Sequence, residues 1–460
     1  MSGDAAMMSL SQAALATKGA LRGDDAVFMA VSKDTRSLSQ GDLYVALKGE
    51  NFDGHKFLEQ AASLGAAGAI VSEPQSINLS QICVEDTRIA LGDLAAAWRD
   101  QFKGKLVGIT GSNGKTTVKE MCRAILVKAA SDECVLSTQG NLNNDIGMPM
   151  TLLSIRQRHD YAVIEMGANH VGEIDYLTHI AKPDVAVITN AGPAHLEGFG
   201  SVEKVAQAKA EIYGGLADEG VAVINLDDDY ADYWQRVCQG KNVVTFSMKN
   251  QQADVYAEIK SDSSYLFKTA TGDVSINMHI PGCHNVMNAL ASAAVTMSLG
   301  ISLKNIAAGL QSFSSVSGRL NLCDGFNGAR LIDDTYNANP LSLKAAMTVL
   351  TEMEGEAYLV LGDMAELGES SAALHFEAGQ QARQLGVKKL FAMGELSRNA
   401  VKGFGDGAEF YQDRSELIEA VKKNMDALTT VLVKGSRSMA MENVVQALLP
   451  DNNNNKQRIN

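Results

Sequence analysis

The stretch Lys105–Thr117, KLVGITGSNGKTT, leaves this chain few ways to fold. Leu106, Val107 and Ile109 form a short apolar run of the kind a buried strand needs. A turn bounded by glycines follows, Gly111-Ser112-Asn113-Gly114, and then Lys115, Thr116 and Thr117. From Val118 to Leu126 the apolar residues recur at helical spacing. Strand, glycine turn, Lys-Thr and helix is the layout of a nucleotide phosphate loop. Backbone N–H groups and the helix N-terminus face the phosphates, the lysine reaches the terminal ones, and a hydroxyl takes Mg²⁺. The usual G-x-x-x-x-G-K-[ST] pattern would put glycine at Ile109, so the motif is the shorter G-x-x-G-K-T-T.

At 460 residues the chain exceeds one ordinary domain, and ~150 residues per domain suggests about three. Residues 1–84 read as a small α/β unit: a helix around Leu10 to Leu21, strands at Leu43–Leu47 and Ala69–Val71, and a helix from Phe57 to Leu64. In residues 85–316 strands alternate with helices after the phosphate loop, which predicts a mostly parallel sheet covered on both faces. Its strands are expected at 134–136, 161–165, 184–189 and 220–226. Short alternating segments between Val243 and Ile280 predict an antiparallel meander on its flank. Residues 317–450 alternate again, with strands expected at 329–333, 358–362, 389–393 and 430–434, as in a Rossmann-like domain without G-x-G-x-x-G. The polar tail DNNNNKQRIN, residues 451–460, reads as disordered.

A net charge of -14 argues against a general nucleic-acid binder, which needs clustered Lys and Arg. The six cysteines show no C-x-x-C pair and read as buried free thiols, as suits a reducing compartment. The N-terminus lacks a basic region followed by an apolar core, and no apolar run reaches the ~20 residues of a membrane span. The expectation is a cytoplasmic monomer.

Ligands of open α/β sheets lie at the carboxyl ends of the strands, which puts Glu165, Asn190 and His195 on the phosphate-loop edge. A carboxylate ending a buried strand is costly unless it is paired or binds a metal, so Glu165 is a candidate hard-cation ligand beside Thr116. His195 taken alone is as well explained by a structural loop histidine. Lys209, in a helical segment, has the look of an exposed lysine. The polar loops Asp34-Thr35-Arg36-Ser37 and Lys48–His55 are either solvated turns or a pocket for an anionic ligand, with Arg36 and Lys48 as charge partners. Asp333-Asp334, in DDTYNANP, either cap a helix or meet a nucleotide, and Lys434-Gly435-Ser436-Arg437 is a second strand-end anion site.

Taken together, GSNGKTT, Glu165, N-x-G-x-x-H (Asn190, Gly192, His195), AKAEI, H-N-x-x-N (His284, Asn285, Asn288), Gly318-Arg319 and DDTYNANP resemble the Mur ligases, ATP-dependent amide-forming enzymes of peptidoglycan assembly. The resemblance covers nearly the whole chain. Four features, DTR, KGENFDGH, DDTYNANP and GDMAELGESSAALH, look most like the branch that adds D-alanyl-D-alanine to UDP-MurNAc-tripeptide. It implies ATP and Mg²⁺ as cofactors and an acyl-phosphate intermediate. Gly111 to Thr117 would cradle the phosphates, with Lys115 on the terminal ones. Asn288, Arg319 and Asp334 would contact the nucleotide. Thr116, Glu165, His195 and Lys209 would serve the metal, Lys209 as the lysine that relatives carbamylate. Asp34, Thr35, Arg36, Ser37, Lys48, Gly49, Asn51, Asp53 and His55 match the uridine-nucleotide side. Asn143, Asn144, Asn337, Ser436 and Arg437 are candidates for the peptide and acyl-phosphate side.

Another Mur ligase or a folylpolyglutamate synthase would share this chemistry with a different acceptor. A nucleotide switch is the alternative from another class, but the D-x-x-G and N-K-x-D motifs such switches usually carry are missing.

Overall fold

The computed structural model describes residues 6–261 and 263–450. The tail at 451–460 lies outside them. Three larger sheets carry the architecture, together with a two-stranded pair, Met8–Ser9 with Val27–Phe28.

The first sheet has five strands in the order Ala20–Arg22, Gln81–Cys83, Gly68–Val71, Leu43–Val45, Val31–Ser32, parallel except for the first pair. The helix expected to reach Leu21 stops early, at Leu10–Ala16. Thr17 caps it, its hydroxyl donating to Ala13 O at 2.8 Å, and Lys18 turns left-handed at φ 54°. The chain is thereby released to run back as Ala20–Arg22.

The central sheet has nine strands, with Lys105–Thr110 between Tyr161–Glu165 and Val185–Ile188. Every residue of Val185–Ile188 is buried, as a parallel strand covered on both faces requires. One face packs on the helices Lys115–Ala129 and Cys283–Ser298. The other runs without a break through helix Thr87–Arg99 into the core of the first sheet. The expected flanking meander is corrected. Asn242–Ser247 belongs to the parallel sheet, and Val255–Ser261 joins it in parallel; only Ser264–Thr269 and Gly272–Asn277 are antiparallel additions. The first of these pairings has just two rungs, Phe246 with Val255 and Ser247 with Tyr256. The end of one strand thus meets the start of the next, and a short connection suffices.

The third sheet has six strands in the order Asn321–Asp324, Arg330–Asp334, Thr429–Lys434, Glu356–Leu361, Lys389–Met393, Ala408–Tyr411, antiparallel only at the first pair. Its two edge strands, Asn321–Asp324 and Ala408–Tyr411, are absent from the expected set; both are short and half-exposed and carry little apolar signal. The cysteines are all free, but only Cys122 and Cys238 are buried, and Cys283 is exposed. Among the described residues no helix is long and apolar enough to cross a membrane.

Candidate active site

The phosphate loop leaves the carboxyl end of the central strand, and its shape is set by its neighbours. Gly111 has φ 146°, and a Cβ there would stand 1.9 Å from Thr189 Oγ1. Gly114, at φ 81°, leaves a Cβ 2.4 Å from Asn288 Oδ1. Neither position admits a side chain without strain or collision. The Asn190 side chain accepts from Asn113 N at 3.0 Å and donates to Asn113 O at 3.1 Å, while Thr189 Oγ1 donates to the same oxygen at 2.6 Å. Ser112 N donates to Asn190 O at 3.0 Å. The N-x-G-x-x-H segment therefore buttresses the loop. Lys115 begins helix Lys115–Ala129 and donates to Gly111 O at 2.7 Å. Desolvation in the cavity wall draws its ammonium pKa below the usual lysine range, against the pull of Glu165.

Thr116 Oγ1 donates to Glu165 Oε2 at 2.9 Å, and Asn143 Nδ2 donates to Oε1 at 2.8 Å. Glu165 is 3% exposed and makes no ion pair among the described residues. A buried carboxylate with neutral partners, next to a hydroxyl in a polar cavity, fits a hard divalent cation such as Mg²⁺. No group of three His, Cys, Asp or Glu side chains converges among the described residues.

Lys209 is 1% exposed, contrary to its surface look in the sequence. Its ammonium lies 5.4 Å from the centre of the Phe199 ring and has no hydrogen bond or ion pair among the described residues. Burial, then the charge of Lys115, lowers its pKa to about 7. Near neutral pH a sizeable fraction is therefore the nucleophilic free amine, and that fraction falls as pH drops below 7. Val205, Ala208, Lys209 and Ile212 share one helical face, a signal of burial already present in the sequence.

The third sheet supplies the opposite wall. Arg319 donates to Thr116 Oγ1 at 3.0 Å and lies 4.1 Å from the Tyr336 ring centre. Lys434, 2% exposed, pairs with the Asp334 carboxylate and donates to Asn337 O at 2.9 Å; the other Asp334 oxygen accepts from Leu320 N at 3.2 Å. Asp334 thus holds the turn, and the helix cap beyond it is Asn339. His195 Nδ1 meets the Glu366 carboxylate across the two units, and both residues sit at left-handed backbone angles, φ 53° and 62°. Burial, with help from Lys115, lowers the His195 pKa although Glu366 pulls it upward. Replacing Lys434 by Met should lower unfolding stability by about 3 kcal/mol, because Asp334 would stay buried without its counter-charge. Urea unfolding followed by circular dichroism checks this.

A cavity of about 690 Å³ joins these groups. Ser112 to Thr117, Asn143, Asn144, Glu165, His195, Asn288, Arg319, Asp334 and Asn337 line it. Asn339, Glu366 and Asp228 also line it and were given no role in the sequence; Lys434, read there as part of a strand-end anion site, lines it too, already paired with Asp334. Burial, the largest effect, raises the pKa of Asp228, whose carboxylate accepts from Ala191 N at 2.9 Å beside the His195 loop. Asn144 Oδ1 accepts from Gly147 N at 2.8 Å, at the start of helix Gly147–Leu152. Lys209 is not among the residues that line it. Ser436 is buried, its N–H on Asp363 O at 2.8 Å, and Arg437 is paired with Glu442 at 3.0 Å. The loops of the first sheet are separate from this cavity. There Asp34 pairs with Arg36 at 2.6 Å and Lys48 with Glu73 at 2.6 Å. Thr35 donates to Gln60 at 3.0 Å, Ser37 to Asp34 O at 3.2 Å, and Gly49 N to Phe52 O at 2.8 Å. His55 is buried between Asp53 (2.8 Å) and Ser72 N (3.0 Å), and Asn51 is exposed.

A phosphate loop with a buried carboxylate at its foot, closed over by a second parallel sheet, defines a nucleotide-dependent group-transfer enzyme rather than a simple nucleotide binder. Three family models match: "Mur ligase family, catalytic domain" over residues 28–99, "Mur ligase middle domain" over 109–296, and "Mur ligase, glutamate ligase domain" over 318–437. The chain belongs to the Mur ligase family. It is 44% identical over 447 residues to the UDP-N-acetylmuramoyl-tripeptide--D-alanyl-D-alanine ligase of Escherichia coli (strain K12), covering 96% of this chain and 98% of that protein. A crystal structure of MurF from Acinetobacter baumannii superposes with a TM-score of 0.90 at 36% identity, over 96% of this chain and 99% of that one. MurF ligase from Thermotoga maritima in complex with ADP gives 0.82 at 28% identity, over 91% and 96%.

Proposed function

We propose that this chain is an ATP-dependent ligase that joins D-alanyl-D-alanine to UDP-MurNAc-tripeptide, giving UDP-MurNAc-pentapeptide, ADP and phosphate for peptidoglycan synthesis. The observation that carries the reading is the shared cavity, in which the phosphate loop faces Arg319, Asn337 and Asn339 of a second sheet instead of open solvent. A phosphate held there has a place for an acceptor beside it. The near full-length relatives that carry this activity in their names support the choice of acceptor.

In the reaction a carboxylate oxygen of the tripeptide attacks the γ-phosphorus and ADP leaves, forming an acyl phosphate. The dipeptide amine then adds to the acyl carbon, loses a proton, and phosphate departs from the tetrahedral intermediate. Lys115 holds the β- and γ-phosphates and offsets charge as it builds on them. The backbone of Gly111 to Thr117 fixes the phosphates in line. Asn288 and Arg319 face the nucleotide, and Asp334 holds the turn that carries Asn337 to the acceptor. Thr116 and Glu165 would hold one Mg²⁺, with His195 and a carbamylated Lys209 serving a second. When bound, the ions neutralise phosphate charge and polarise the acyl oxygen. Carbamylation joins the free Lys209 amine to the carbon of CO₂ with loss of a proton, turning a buried cation into an anion.

The Asp34–Ser37 and Lys48–His55 loops are proposed to take the uridine nucleotide, with His55 bracing them from within. A cytoplasmic location suits the unpaired cysteines.

Incubation with UDP-MurNAc-tripeptide and ATP should release ADP and phosphate with D-alanyl-D-alanine, and not with single amino acids. The reverse preference would refute the acceptor assignment.

A further inference from the structure

Asn113 and Asn339, 226 positions apart, face each other as a reciprocal amide pair. Asn339 Nδ2 donates to Asn113 Oδ1 at 2.8 Å, and Asn113 Nδ2 donates to Asn339 Oδ1 at 3.3 Å. Neither partner is loose on its own side. The Asn113 main chain is gripped in both polarities by Asn190 and again by Thr189, so only its side chain reaches outward. Asn339 is the N-cap of helix Pro340–Glu352: its side chain accepts from Ser342 N at 2.9 Å, and its own N–H donates to Ser342 Oγ at 3.1 Å. The pair therefore joins two rigid bodies, the phosphate loop of the central sheet and a helix start of the third sheet.

Two amides use all four heteroatoms this way only in one relative placement, and being uncharged they respond little to salt or pH. Leu341, two positions on, lies against Gly192 of the segment that buttresses the loop, where an added Cβ would fall 2.0 Å from its Cδ1. Tyr336, on the same turn, stacks on Arg319, which in turn donates to Thr116.

We propose that the Asn113–Asn339 pair is a positional latch and that Asn339 is a positioning residue for the reaction. It ties the acceptor-bearing wall of the third sheet to the phosphate loop once the two are in register. The reaction served rests on the ligase reading above; the latch itself rests on the geometry.

Asn339→Ser keeps a good helix cap but removes the amide pair, and Asn113→Ser removes the same pair from the other side. In ADP formation with UDP-MurNAc-tripeptide, ATP and D-alanyl-D-alanine, each substitution is expected to lower kcat ~10-fold, and the double variant also ~10-fold. ADP affinity of Asn339→Ser, by calorimetry, should stay within ~2-fold of the parent. Losses that multiply to ~100-fold, or ADP affinity that falls in step with kcat, overturn the latch. Hydrogen exchange in the free protein gives an arm that needs no turnover. Asn113→Ser should speed exchange at Ser342 and Leu343, in the other unit, by ~5-fold, and unchanged exchange there overturns the proposal. A parent protein inactive on these substrates but showing that exchange response would refute the ligase reading and leave the latch standing.

Discussion

Lys209→Ala should lower kcat by ~10²-fold or more, in line with the several kcal/mol that a correctly held metal ion supplies to a transition state. The reason lies in the local environment of the side chain. An ammonium buried over Phe199, with no ion pair among the described residues, loses more by desolvation and by the charge of Lys115 than the ring and the more distant Glu211 and Glu173 return, and its pKa falls to about 7. On the proposed reading, a carbamate there would replace that buried cation with an anion able to serve the second metal ion. Bicarbonate should not restore the alanine variant, because there is no amine left to react. Short carboxylic acids, which can put a carboxylate into the vacated space, should restore part of the rate. Steady-state ADP release with and without added acetate or propionate measures both effects. Near-normal turnover by the variant would remove Lys209 from the mechanism.

Lys115→Met should be costlier still, ~10³-fold in kcat, because phosphoryl transfer relies on positioning and on neutralising charge that grows on the β- and γ-phosphates. Methionine keeps the length of the side chain and loses the charge, so the loop geometry set by Gly111, Gly114 and Asn190 should survive. Circular dichroism should be unchanged while the first chemical step slows. That step can be followed by positional isotope exchange in ATP with UDP-MurNAc-tripeptide alone. Parent-like exchange in the variant would show that another group carries the charge.

The parts of the fold that could be read from the sequence are those whose causes are local. An apolar strand, a glycine turn and an amphipathic helix name a phosphate loop because all three follow one another. Tyr161–Glu165 was legible for the same reason, and so was the strand-end position of its carboxylate. Pairing partners are a different matter. The parallel attachment of Val255–Ser261 depends on where the preceding strand ends, and alternation of side chains alone says nothing of direction. Lys434 with Asp334, 100 positions away, and His195 with Glu366, 171 away, meet because two sheets present their strand ends to one cavity. No local pattern encodes such meetings. Lys209 is the intermediate case: its apolar face at 205, 208 and 212 was visible, but a lysine on such a face reads first as a snorkelling surface residue.

Helix Thr87–Arg99 carries a consequence for how the chain comes apart. Leu91, Leu94 and Ala95 belong to a single apolar cluster that extends from Leu43 and Ile70 in the first sheet, with Met7 and Leu10 packed beside it, to Trp234 and Cys238 beyond the central one. The third sheet has its own two clusters, built from its own residues. Cooperativity follows continuous cores more closely than it follows ligand sites. Heat or denaturant should therefore melt the first two sheets together and the third independently, so that three large sheets make only two folding units.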